Sequence, residues 1–165
     1  MRTITPIYER ILEANARYAA ELDRTGRDLP PVGLAVLTCM DARIDPLAAL
    51  GLRLGEAHII RNAGGLATDD AIRSLVISQH LLGTSEVLVI GHTDCRMSSF
   101  EEEAVRADLA RRTDADVNLR LLPFDDVRAS VARQVDLIRA HPWTRDVPVV
   151  GLIYEVETGR LGAVE

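Results

Sequence analysis

A chain of 165 residues, 47% hydrophobic and 27% charged, has the length and balance of one domain with a sizeable core. Its formal charge of -6 argues against a nucleic-acid binder, which needs concentrated positive charge. No apolar run reaches the roughly 18 residues of a membrane span, and the opening stretch MRTITPIYERILEANARYAAELDR lacks the apolar segment of a secretory signal, so a cytoplasmic protein is expected.

In chain order, the first 25 residues read as an amphipathic helix with Ile7, Ile11, Leu12 and Tyr18 as apolar anchors. It is suited to packing on the domain or on a partner subunit, and the two prolines of GRDLPPVG stop it. This divides the chain into a helical arm, 1–29, and a domain, 30–165. GLAVLT, from Gly33 to Thr38, is a short apolar run suited to a central parallel strand covered on both faces. Asp45 and Pro46 have the pattern of an N-cap followed by proline at the first helical position, opening a short helix PLAALG. AHIIRN predicts a second strand, and AGG a turn in which small residues allow close backbone approach.

Thr68 is placed to cap the next helix, with Asp69 and Asp70 complementing the dipole of its first turn. Ile72, Leu75, Val76 and Gln79 mark its repeating positions, and Gly83 its stop. SEVLVIGH predicts a third strand. Two overlapping capping boxes, Ser98 with Glu101 and Ser99 with Glu102, are expected to start the following helix. Its Arg111 and Arg112 read as solvated surface among acids. FDDVRASVARQVDLIRAHP is a further amphipathic helix closed by Pro142, and VPVVGLIYEVETGRLGAV a fourth strand, a turn and a short returning strand. Strands separated by helices imply an α/β fold with a central, mostly parallel sheet flanked by helices.

Ligands of such sheets bind beyond the carboxyl ends of the strands, and both cysteine segments, CMDAR and HTDC, fall there. If CMDAR continues in extended form, its period of two puts Cys39, Asp41 and Arg43 on one side. Arg43 can then hold the Asp41 carboxylate in a planar, bidentate pair. HTDC places His92 and Cys95 three residues apart at a strand-to-helix turn. Either cysteine alone reads as a packed core thiol. The two segments together favour a shared metal, because Cys, His and Asp are all zinc donors. A reversible disulfide is disfavoured by the lack of a CxxC pair. His58 and His80 read as packed side chains rather than proton shuttles, and His141 as a helix-end residue.

Three segments, CMDARID, HIIRNAG and HTDC, occur in an order that resembles the β-class carbonic anhydrases, in their compact bacterial and mycobacterial branch. The likeness runs from about Pro30 to the final hairpin and is weakest over the N-terminal helix and from Glu101 to Asp126. It implies a β-carbonic-anhydrase-like fold and one catalytic zinc per chain, held by Cys39, His92 and Cys95. The implied reaction is reversible hydration of carbon dioxide to bicarbonate and a proton by zinc-bound hydroxide. In the family's open form Arg43 pairs with Asp41 and frees the fourth metal position; in the closed form Asp41 is itself the fourth ligand. The resemblance also implies a homodimer, with a tetramer as the larger alternative, and an N-terminal helix lying across the partner. Arg61 and Asn62 are expected to fix the loop near the metal, and the backbone N–H groups of Gly64 and Gly65 to position substrate oxygens or simply to form a packing turn.

One departure stands out, since Arg96 occupies the place where the family usually has glycine. If that glycine has an unusual backbone geometry, arginine must strain or alter the turn. Its charge can also reach an anion such as bicarbonate, or lower donation by the Cys95 thiolate. Two alternatives keep the same metal motif: a hydrolase acting on carbon disulfide or carbonyl sulfide, and a non-catalytic zinc scaffold or bicarbonate sensor. A thiol redox protein is the weakest rival.

Overall fold

The computed structural model describes residues 6–22 and 33–164. Helix α1 spans Pro6–Glu21, ending before the two prolines; that expected stop and the 29/30 boundary lie outside the described residues. Then follow strand β1 (Leu34–Cys39), helix α2 (Pro46–Leu50), strand β2 (Ala57–Asn62), helix α3 (Asp69–Leu81) and strand β3 (Glu86–His92). Helices α4 (Glu102–Thr113) and α5 (Val127–Ala140) precede strands β4 (Val149–Tyr154) and β5 (Leu161–Ala163).

The strands form one sheet in the order β2-β1-β3-β4-β5, parallel except for the returning β5. β1 is an interior strand, and Ala35, Val36, Leu37 and Thr38 are all fully buried, which is why its sequence runs apolar instead of alternating. Ala35, Leu37, Val87, Val89 and Val149 share one core with Ala71, Ile72 and Leu75 of α3 and Val131, Val135 and Ile138 of α5. Helices α3 and α5 therefore cover the same face. Two strand glycines let α5 sit close: a Cβ on Gly91 would lie 2.6 Å from Val131 Cγ2, and one on Gly151 2.8 Å from Val131 Cγ1.

The expected cap at Asp45 forms, its carboxylate accepting from Ala48 N at 3.2 Å. Asp126 caps α5 in the same way, accepting from Ala129 N at 2.7 Å. Thr68 occupies the N-cap position of α3 without a side-chain cap, its hydroxyl lying 3.4 Å from Asn62 Nδ2. The expected capping boxes at Ser98 and Ser99 do not form. Both hydroxyls are spent closing a 3-10 turn, Arg96–Ser98, by donating to Cys95 O at 2.8 Å and Arg96 O at 2.9 Å. α4 then starts without a side-chain cap, and Glu102 accepts instead from Leu121 N and Leu122 N. Arg111 and Arg112 both pair with Asp108, as a solvated helix surface would.

Along α1, Ile7, Ile11, Leu12 and Tyr18 are all more than half exposed. Among the described residues no helix is long and apolar enough to cross a membrane.

Candidate metal centre

Parallel pairing sets the carboxyl ends of β1 and β3 side by side, so Cys39 and His92 end neighbouring strands. The chain then turns tightly through Asp94, whose φ of 53° is left-handed, a conformation aspartate tolerates better than most residues. That turn brings Cys95 back. One ligand atom from each of Cys39, His92 and Cys95 lies within 4.8 Å of the others, and all three side chains are buried.

The histidine is oriented for coordination. His92 Nδ1 lies 2.9 Å from the Thr93 carbonyl, to which it can only donate. In the neutral ring Nε2 is then the unprotonated nitrogen, and among the described residues it is buried without a hydrogen-bond partner. A buried acceptor left unpaired is costly, and a metal ion flanked by two sulfurs would satisfy it. Backbone amides of Gly64 and Asp41 hydrogen-bond to Cys39, and that of Met97 to Cys95. The Cys95 hydrogen bond is the largest influence lowering the Cys39 thiol, supported by His92 and the two amides against burial. The same contact, together with burial, drives Cys95 up. Two thiolates this close repel, so a cation between them would allow both to ionise. For His92, burial acts downward, but the Cys39 sulfur and its charge beside the ring, the Thr93 carbonyl and the Asp41 charge raise it overall. The donor set, two soft sulfurs and one imidazole nitrogen, fits zinc chemistry.

Beside this cluster, Arg43 and Asp41 pair as expected, although not on an extended strand. β1 ends at Cys39, and a turn at Ala42 and Arg43 folds the arginine back onto the acid. Arg43 Nε donates to Asp41 Oδ1 at 3.0 Å and Nη2 to Oδ2 at 2.8 Å, and the Arg43 amide adds a bond to Oδ1 at 2.9 Å. These bonds, the Arg43 side chain first, hold the Asp41 carboxyl well below the usual carboxylate range. Asp41 Oδ2 is 3.9 Å from His92 Nε2, so the carboxylate stands at the edge of the ligand cluster.

Arg61 braces the same loop, donating to Cys39 O at 2.9 Å, Ile44 O at 3.2 Å and Asp41 O at 2.6 Å. Asn62 closes the following turn, its Nδ2 donating to Leu66 O at 2.7 Å and its Oδ1 accepting from Leu66 N at 2.8 Å. Within that turn Gly64 and Gly65 are buried, with φ of 83° and 65°. A Cβ on Gly65 would lie 3.1 Å from the backbone of Thr38 and Cys39. The turn packs against β1, and its Gly64 amide serves the Cys39 sulfur.

Arg96 enters the 3-10 turn and is not among the described residues with positive φ, so its backbone does not require glycine. His58 hydrogen-bonds Ser78 and Thr84 instead of entering the cluster, His80 contacts the Trp143 carbonyl, and His141 caps the end of α5. The sequence reading missed Asp94 as a second partner of Arg43, and also the amides that serve the sulfurs. An aspartate at a turn between two candidate ligands was the available signal for the first; backbone donors leave none.

Residues 34–117 match the family profile described as carbonic anhydrase. The chain is 36% identical over 163 residues to β-carbonic anhydrase 1 of Mycobacterium tuberculosis, covering 98% of each chain. It is 41% identical over 150 residues to a carbon disulfide hydrolase of Acidithiobacillus thiooxidans, covering 78% of this chain and 75% of that one. A solved carbonic anhydrase from Streptococcus mutans superposes with a TM-score of 0.90 at 39% identity, covering 99% of this chain and 100% of the other. A fold, a motif order and a buried Cys-His-Cys cluster in agreement with these likenesses place the chain in the β-carbonic anhydrase family.

Proposed function

We propose that this chain catalyses reversible hydration of carbon dioxide to bicarbonate and a proton, at one zinc ion per chain held by Cys39, His92 and Cys95. The observation that carries the metal assignment is His92 Nε2, buried, without a partner among the described residues and grouped with two buried sulfurs. Bound there, zinc would supply Lewis acidity that makes water acidic enough to yield a nucleophile near neutral pH. Two thiolate ligands give up more negative charge than neutral histidines, so that pH should lie somewhat higher than at an all-histidine site.

The chain's own residues supply orientation. Asp41 is held as an anion by Arg43, and its carboxylate can accept a hydrogen bond from the attacking water and aim its lone pair at carbon. The pair in this geometry supports the open arrangement, with both Asp41 oxygens engaged by Arg43. Buried Ile44, Leu66, Met97 and Phe124 pack around the two cysteines and limit the water on that side. Arg61 and Asn62 act by position, fixing the loops that carry Cys39 and Asp41 and the glycine turn.

The exposed apolar side chains of α1 support a homodimer in which residues 1–29 form an arm over the partner of the 30–165 domain. Two buried cysteines that form no disulfide suit a reducing, cytoplasmic compartment.

The test is stopped-flow carbon dioxide hydration across pH on protein with its zinc quantified. Zinc-loaded protein inactive from neutral to alkaline pH would overturn the proposal. The likeness to a carbon disulfide hydrolase favours one second reading, hydrolysis of carbon disulfide at the same residues. Parallel assays on both substrates decide between them.

A further inference from the structure

Arg43 is held along two edges. One edge, Nε and Nη2, carries Asp41. The other faces Asp94, with Nη1 donating to Oδ2 at 2.7 Å and Nη2 to the Asp94 carbonyl at 3.0 Å. Asp94 lies between the ligands His92 and Cys95, yet its own carboxylate is not part of the ligand cluster and its side chain is 80% exposed. Its left-handed backbone lets its carbonyl and its carboxylate reach the same guanidinium.

We propose that Asp94 is a positioning residue for the Asp41–Arg43 pair: it fixes the guanidinium plane so that Arg43 keeps both Asp41 oxygens engaged and off the metal. The proposal rests on the metal reading above. A long, flexible arginine side chain held on one edge keeps rotational freedom that a second edge removes. Asp94 does not compete with Asp41 for donors. Nε serves Asp41 alone, Nη1 serves Asp94 alone, and Nη2 has two N–H bonds, one for each residue. The arginine thus clasps the loop after β1 to the ligand turn after β3, and the carboxylate gate is set by a residue of the ligand turn itself.

Two variants separate the carboxylate from the backbone geometry. Asp94→Gly accepts the left-handed conformation and keeps the carbonyl contact, while removing the carboxylate. Asp94→Asn also tolerates that conformation and keeps an acceptor oxygen for Nη1. Three quantities are read: metal per chain, protection of the Arg43 Nε–H from solvent exchange by NMR in metal-free protein, and the cobalt(II) absorption spectrum, which distinguishes carboxylate-bound from open metal. Asp94→Gly is expected to keep its metal and lose the Arg43 protection. The ratio of carboxylate-bound to open metal should rise about two- to five-fold, the scale of an exposed ion pair, and kcat should fall with little change in KM. Asp94→Asn should restore most of the protection.

An unchanged Arg43 signal and ratio in Asp94→Gly would overturn the proposal. So would a lower ratio, which would make Asp94 a competitor, or a loss of metal, which would make it a support of the ligand turn. Failure of wild-type protein to bind metal would overturn the metal reading instead, and the metal-free NMR comparison would still test the clasp.

Discussion

Arg61 Nη2 donates to the Asp41 carbonyl at 2.6 Å, so an arginine on the edge strand β2 holds the backbone of the loop that carries the Asp41 carboxylate. The same guanidinium reaches the carbonyls of Cys39 and Ile44, before and after Asp41 in the chain. Lysine cannot reproduce that planar fork. Arg61→Lys should therefore cost about 1 kcal/mol of stability, seen as a lower melting temperature. Activity at 25 °C, where the variant stays folded, should fall more than stability predicts. A variant with wild-type turnover would show that the loop holds its shape without the brace.

Asp41 and Cys95 should fail in different ways. Asp41→Asn keeps the size of the side chain and leaves the cysteine and histidine ligands intact, so zinc content should stay high while turnover drops sharply. Cys95→Ser replaces a soft thiolate by a hydroxyl that does not readily ionise, so its main loss should be metal affinity. Competition with a chelator separates the two, and comparable activity in either variant would reverse the roles assigned here.

Gly65→Ala would place a methyl group 3.1 Å from the backbone of β1 at a residue with φ of 65°. Crowding and a left-handed backbone together should cost about 2–3 kcal/mol, or about 4–12 °C in melting temperature for a domain of this size. A calorimetric shift below about 2 °C would mean that the turn moves away from β1 at little cost.

Arg96→Gly should slightly lower stability. The position does not use a left-handed backbone, so restoring glycine relieves no strain and adds freedom to the unfolded chain. Chemical denaturation should show a loss of about 0.5–1 kcal/mol. A gain would reveal strain in the turn.

Much of the site was legible because the chemistry is local. CMDAR and HTDC each carry their donors within a few residues, at the ends of runs whose apolar character marks them as buried strands. The cap at Asp45 likewise needs only the next turn of helix. The capping boxes at Ser98 and Ser99 had an equally good local pattern and still failed, because their hydroxyls close the turn after Cys95. Two local solutions were open to the same serines, and packing around the ligand turn selected one.

The sequence by itself determined the alternation of strands and helices, the donor types and the acid–arginine pair, since each depends on neighbours along the chain. Tertiary structure decided that β1 and β3 are adjacent, that His92 Nε2 is left without a partner among the described residues beside two sulfurs, and that Arg43 reaches Asp94 across 51 residues. Those relations depend on which distant segments the sheet brings together and on the positive φ of Asp94, which a residue name permits but does not impose.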